Sequence, residues 1–155
     1  LFDDRTYKLG EPIDIVVELS ARGEVEMREA LVYLACEEHY WESYSVMVPD
    51  IKTGRQTGGI YGGLGSAAGY TPTPMIPRQV NKEIRETYVH SSVVFLTDTW
   101  IRPGWTDRHS IRLEVGPEPP PHASNATIKW RLEAEVDVAR GRDVRQRYQV
   151  KMELP

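Results

Sequence analysis

The run Cys36-Glu37-Glu38-His39-Tyr40-Trp41-Glu42 sets a thiol, three carboxylates and an imidazole close together, and every one of them can ligate a metal. Thiolate and imidazole suit zinc when they converge on one ion. In an extended strand, however, Cys36 and Glu38 face one way while Glu37 and His39 face the other. One pleat therefore cannot aim Cys36 and His39 at the same ion without a bulge. A packed cysteine and a strand-end histidine are expected instead, and no metal site.

A second chemical candidate is "GGIYGGLGSAAGYTPTPMIP", residues 58–77, which holds half of the chain's 12 glycines. Its core, Gly63-Leu64-Gly65-Ser66-Ala67-Ala68-Gly69, has the look of a phosphate-cradling loop. Such a loop needs a buried strand before it and a helix after it, so that helix amides and dipole meet the phosphate. "PDIKTGRQT" is no buried strand, and Pro72, Pro74 and Pro77 block a helix by lacking an amide donor and clashing with the preceding turn. A P-loop lysine is missing, and Ser66 is not in a Gly-x-Ser-x-Gly elbow. No nucleotide or other cofactor is expected.

His90, His109 and His122 stand far apart in sequence, each without a neighbouring nucleophile and acid in a recognisable order, so the chain is read as no enzyme. The aromatics remain. Trp100 and Trp105 bracket "WIRPGW", and Tyr40, Trp41 and Tyr44 cluster at the end of another strand. These rings are expected to fill the ends of the fold. The other reading is that they stack on sugar or anchor a protein partner. On that reading Trp100, Trp105, Trp41, Tyr61 and Tyr70 are the candidate partner-binding residues.

Composition bounds what these residues can serve. At 155 residues the chain is expected to form a single domain, burying roughly two-thirds of its unfolded surface. A net charge of −4 lacks the basic field that nucleic-acid binding requires. No apolar run approaches the ~20 residues of a membrane helix, so no membrane span is expected. One cysteine cannot form an internal disulfide and fits a reducing, cytoplasmic setting. The chain opens on Leu1 rather than methionine, which fits a piece of a longer protein. Asn125-Ala126-Thr127 is a glycosylation sequon, with meaning only for a secreted chain.

The elements that must position everything are strands, because period-2 alternation dominates. Ile13, Ile15, Val17 and Leu19 share one face. Ala30–Cys36 is almost continuously apolar, as expected of a central strand covered on both sides. Ile111, Leu113 and Val115 alternate with Arg112 and Glu114. In "TIKWRLEAEVDV" Ile128, Trp130, Leu132, Ala134, Val136 and Val138 oppose Lys129, Arg131, Glu133, Glu135 and Asp137. After "ARGRD" the alternation resumes with Tyr148, Val150, Met152 and Leu154.

The last two strands form a hairpin across Gly141. Pairing Val138 with Val144 gives Asp137–Arg145, Glu135–Arg147 and Lys129–Glu153. A two-residue shift gives Asp137–Arg147, Glu133–Lys151 and Arg131–Glu153 and keeps the same faces, so both registers stay open. "SARGEVE" and "IRPGWTD" are turns, and Pro103-Gly104 suits a type II turn. "GPEPPPHASN" is too proline-rich for a central strand. Residues 49–79 show little periodicity and are expected to be one long Gly/Pro-rich loop. Seven or so strands with almost no helix predict an all-β, two-sheet antiparallel immunoglobulin-like β-sandwich.

Two stretches resemble the arrestin-like family. "YKLGEPIDIVVELSARGEVEMREALVYLACEEHY" is similar to its opening, where a Tyr-x-x-Gly-Glu step (here Tyr7, Gly10 and Glu11) enters the first long strand. "IRLEVGPEPPPHASNATIKWRLEAEVDVARGRDVRQRYQVKM" is similar to the later part. There a proline-rich step (Pro119, Pro120, Pro121) precedes an Ile-x-Tyr/Trp strand (Ile128, Trp130), a short turn with an acid (Asp143) and a final strand. The resemblance covers about half the chain. It implies a scaffold or adaptor sandwich, as in arrestins, retromer-type sorting subunits and sporulation-control relatives. Those proteins usually carry two sandwiches, this chain has one, and none of their partner-binding tail motifs is present.

The combined expectation is a non-enzymatic protein-interaction or scaffolding module that docks a protein partner, or itself, by edge strands and loops. The alternative is a carbohydrate-binding or other extracellular sandwich, with Trp100, Trp105 and Trp41 stacking on sugar.

Overall fold

The computed structural model describes residues 1–50, 74–122 and 124–153. Among them are seven strands and no helix: β1 (Thr6–Lys8), β2 (Ile13–Ser20), β3 (Val25–Pro49), β4 (Met75–Ile101), β5 (Thr106–Leu113), β6 (Thr127–Val138) and β7 (Val144–Glu153). They form a five-stranded sheet in the order β1-β7-β6-β3-β4 and a two-stranded sheet, β2-β5. The β-sandwich expected from the alternation is present. One pair departs from the antiparallel rule, since β1 runs parallel to β7 with Tyr7 opposite Met152.

The chain divides into two compact units, Leu1–Tyr40 with Ile84–Pro155, and Trp41–Glu83. In the first, alternate residues meet between the sheets. Ile13 and Ile15 of β2 and Ile111 and Leu113 of β5 pack with Val32, Leu34 and Cys36 of β3, and with Trp130 and Leu132 of β6. Burying each such aliphatic side chain is worth about 1.5–3 kcal/mol, which makes this cluster the main stabilising term. A smaller cluster of Met27, Ala30, Ile101 and Val136 continues it, with Leu19 and Val25 at its margin. The second unit contains the later part of β3 and the earlier part of β4. There Ser43 Oγ donates to Asn81 Oδ1 at 2.7 Å, and the Asp50 amide donates to the Pro74 carbonyl at 2.8 Å.

Three expectations need correction. Residues 49–79 are not all loop: Pro49 ends β3 and Met75–Gln79 begin β4, while 51–73 lie outside the described residues. The β3 run is covered unevenly: Ala30, Val32, Leu34 and Cys36 are buried on one face, while on the other Ala35 is buried but Leu31 and Tyr33 are only half-buried. The β6–β7 hairpin adopts neither register considered. Val136, not Val138, stands opposite Val144, and Trp130 stands opposite Val150. β6 stays paired with β3 out to Val138, opposite Met27, so the turn must span 139–143. Asp143 Oδ1 accepts from the Val138 amide at 3.4 Å across that turn.

The observed register has an electrostatic logic on the outer face. Glu133, only 3% exposed, accepts from Tyr33 Oη at 2.9 Å and Arg147 Nε at 3.0 Å. Arg145 donates to Glu135 at 2.6 Å. Burial and then the Glu133 hydrogen bond push the Tyr33 hydroxyl up. A carboxylate this dry must be paired, and the register supplies its partners.

Candidate functional site

The Tyr-x-x-Gly-Glu step proves to be a structural clasp. Tyr7 is buried, and its hydroxyl donates to the Asp3 carbonyl at 2.9 Å. Gly10 has φ +84°, in the left-handed region where a side chain is strained, and its amide donates to the Gly116 carbonyl at 3.2 Å. Glu11 Oε2 accepts from the Lys8 amide at 3.1 Å, while its Oε1 meets the Arg5 guanidinium at 2.6 Å. That pairing holds the Glu11 carboxyl below its ordinary range. The motif thus fastens the turn between β1 and β2 to the segment after β5.

The histidines are engaged one by one. His90 stands edge-on to Trp130 at 5.3 Å, with Nε2 2.8 Å from the Glu118 carbonyl oxygen and Nδ1 3.0 Å from Ser91 Oγ. His122 Nδ1 lies 3.0 Å from the Pro120 carbonyl oxygen. His109 tilts against Phe95 at 5.4 Å, and its buried Nε2 has no hydrogen-bond partner. Cys36 is buried among core residues; burial, reinforced by the Glu38 charge, pushes its thiol up to about 11. Such a thiol is a poor nucleophile and a poor ligand at neutral pH. Among the described residues, no group of three His, Cys, Asp or Glu side chains is placed to hold a metal ion.

The aromatics do not fill the ends of the sandwich. Trp100, Trp105 and Trp41 are 56%, 64% and 55% exposed; Trp130 is the buried indole. Trp100 and Trp105 flank a tight turn in which Gly104 has φ +78° and the Trp105 amide donates to the Arg102 carbonyl at 3.3 Å. That is the type II geometry the Pro-Gly pair predicts. A parallel bridge between Ala21 and Pro103 ties the turn to the end of β2. Trp41 belongs to the second unit, as do exposed Tyr44, Met47, Met75 and Ile76. Tyr61 and Tyr70 lie outside the described residues.

One feature of the first unit has no counterpart in the sequence reading. β2 pairs with β5 along one edge, from Ile13 opposite Leu113 to Ser20 opposite Thr106. Along its other edge, the Leu1 ammonium donates to the Val16 carbonyl at 2.6 Å, the Val16 amide donates back to the Leu1 carbonyl at 2.7 Å, and Phe2 bridges Ile15. Past Val16 no described strand pairs with that edge. Beside it a groove of about 570 Å³ opens, lined by Val17, Leu19, Met27, Phe95, Val136 and Val144 among others. Alternation marked several of these residues as inward-facing. It could not show that no described strand lies over them, because that depends on which strand neighbours which.

No family model and no curated protein sequence matches the chain. Solved structures do. The chain is similar in structure to Spo0M, the sporulation control protein of Bacillus subtilis, with a TM-score of 0.62 and 11% identity. The match covers 99% of this chain and 47% of that one, so the chain spans about half the length of this structural relative. At this identity the likeness is one of fold, and the fold is the arrestin-like β-sandwich. No helix among the described residues is long and apolar enough to cross a membrane.

Proposed function

We propose that the chain is a non-enzymatic protein-interaction or scaffolding module, docking protein partners through strand edges and exposed loops. The observation that carries this reading is the edge of β2 past Val16, which no described strand pairs, beside an apolar groove. An unpaired edge offers main-chain donors and acceptors to an incoming strand, and an adjoining groove takes its alternate side chains. Trp100 and Trp105, exposed on either side of a rigid turn, and Trp41 are further anchors of the kind that dominate protein interfaces. Tyr61 and Tyr70 join them on sequence grounds alone. The likeness to a sporulation control protein supports a regulatory module without naming a partner. A lone buried thiol suits a reducing compartment, so we place the chain in the cytoplasm.

The exposed indoles also suit a second reading, stacking on sugar rings. The two separate when the protein is tested against a glycan array and, in parallel, against a purified protein recovered with it. Silence on the array, with a stoichiometric protein complex weakened about tenfold by Trp105→Ala, supports the interaction module. Saturable quenching of tryptophan fluorescence by an oligosaccharide, abolished by the same substitution, transfers the function to sugar binding.

A further inference from the structure

We propose that one end of the first unit rests on a membrane surface rich in anionic phospholipid, with four arginines on the lipid phosphates and two indoles at headgroup depth. The inference goes beyond the interaction reading and stands whether or not a protein docks at the edge of β2. It gives Trp100 and Trp105 a second role.

The topology makes the site. Three turns, 21–24 between β2 and β3, 102–105 between β4 and β5, and 139–143 between β6 and β7, meet at the same end of the sandwich. The Ala21–Pro103 bridge joins the first to the second, and the Gly104 amide donates to the Ala21 carbonyl at 3.3 Å. The third is tied to the start of β3: the Ala139 amide donates to the Glu26 carbonyl at 3.0 Å, and Arg28 Nη2 donates to the Ala139 carbonyl at 3.3 Å. The turns are thus held to one another before any ligand arrives, which lowers the ordering cost of binding.

These turns carry Arg22, Arg102, Arg140 and Arg142, all exposed, against two acids, Glu24 and Asp143. That leaves +2 at this end of a chain whose total is −4. Asp98 and Asp107 lie further down the flanking strands, on the far side of the indoles from the turn. Nearby Arg28, Arg108 and Arg145 are each committed to a carboxylate, of Asp137, Glu18 and Glu135. Among the described residues, none of the four turn arginines has such a partner.

Guanidinium groups match phosphate oxygens, and an anionic leaflet favours each cation at its surface by about fivefold. Indoles favour the membrane interface, where the ring is buried and the N–H stays wet. Trp100 and Trp105 present such rings on either side of the Pro103-Gly104 turn. An acidic peptide suits this arrangement less well. The groove of about 570 Å³ has Arg22 and Arg142 on its lining but neither indole, so a peptide lying there leaves both rings in water. A surface broad enough to span three turns engages both kinds of group.

The test is co-sedimentation of the whole chain with vesicles of phosphatidylcholine, alone or with about 30% phosphatidylserine. The chain should follow the mixed vesicles, stay in solution with the neutral ones, and be released by about 0.5 M salt. Arg102→Gln should weaken partition about fivefold, and Arg140→Gln with Arg142→Gln about 25-fold. Lys129→Gln, toward the opposite end of β6, should change it less than about twofold. All these side chains are exposed, so an unchanged urea midpoint verifies that the variants fold. Brominated lipid should quench the tryptophan fluorescence, and Trp100→Phe with Trp105→Phe should remove that quenching while the chain still sediments. No sedimentation with the mixed vesicles, equal binding to neutral ones, or quenching that survives the double phenylalanine variant overturns the proposal. So does a loss in Lys129→Gln equal to that in Arg102→Gln. Displacement by inorganic phosphate at matched ionic strength overturns it in favour of a free-anion site. Binding of an oligo-glutamate peptide as tight as that of the vesicles overturns it in favour of an acidic protein partner.

Discussion

The two halves of the outer edge of β2 are built from the same alternating sequence and end differently. Beside Ile15 and Val16 the chain's own Leu1 and Phe2 complete the sheet; toward Val32, Leu132 and Tyr148 the residual space is about 60 Å³, while a hollow of about 480 Å³ lies beside Asp14, Ser110 and Arg112. Beside Glu18 and Ser20 nothing described completes it, and the space is about 570 Å³. Hydrophobic pattern alone makes a strand; a neighbour decides whether its edge is closed. An unfilled apolar groove also forfeits dispersion contacts along its lining, so the open half should contribute less stability per residue than the closed half.

Substitutions under each half test that contrast, the closed half first. Leu132→Ala, beneath Leu1–Phe2 and 3% exposed, should cost about 2–5 kcal/mol in urea unfolding without a change in m. A loss below 1 kcal/mol would mean the closed half is not packed as described. Phe2→Ala should cost about 1–2 kcal/mol, because the ring is only half-buried, and should speed hydrogen exchange at Val16. Unchanged exchange at Val16 would show that Leu1 and Phe2 do not close the edge. Val144→Lys, on the open half, should stay within about 0.5 kcal/mol of the parent, since its side chain has little to lose. A large destabilisation there would erase the difference between the halves.

The same contrast explains how far sequence could reach. Ile13, Ile15, Leu113, Trp130 and Leu132 were assignable to the core because a half-buried strand must alternate. The Pro103-Gly104 turn was legible because its type demands a residue at positive φ, and Gly104 supplies it. The β6–β7 register was not, since every two-residue shift preserves the faces and offers opposite-charge pairs. In the observed register β6 stays paired with β3 out to Val138, two residues past Val136, its last partner on β7. The indoles misled for a related reason. Trp130 and Trp100 are both flanked by strand-like sequence, yet one is 4% and the other 56% exposed, and only the sheet on the far side decides that. The groove was invisible to any local pattern, because it lies where no described strand neighbours β2.

The smallest expected effect concerns what holds the closed half in place. Leu1–Phe2 is followed by Arg5, which binds Glu11 across the turn into β2. The Arg5 hydrogen bond, then the Lys8 amide, hold the Glu11 carboxyl below its ordinary value of 4.5. The folded chain therefore binds that proton more weakly than the unfolded chain. The resulting stabilisation is fully present above pH 4.5 and is lost as pH falls from there through the lowered folded value. Because both groups are well exposed, salt should screen the effect. The stability difference between the parent and Glu11→Gln should thus be visible at about pH 6, shrink at about pH 3 and flatten in concentrated salt. Exchange at Val16 should rise in parallel with the loss at low pH, because Arg5 and Leu1 lie on one short segment. A difference that stays constant between the two pH values would show that Glu11 acts only through its neutral contacts, and that the clasp does not help to close the edge of β2.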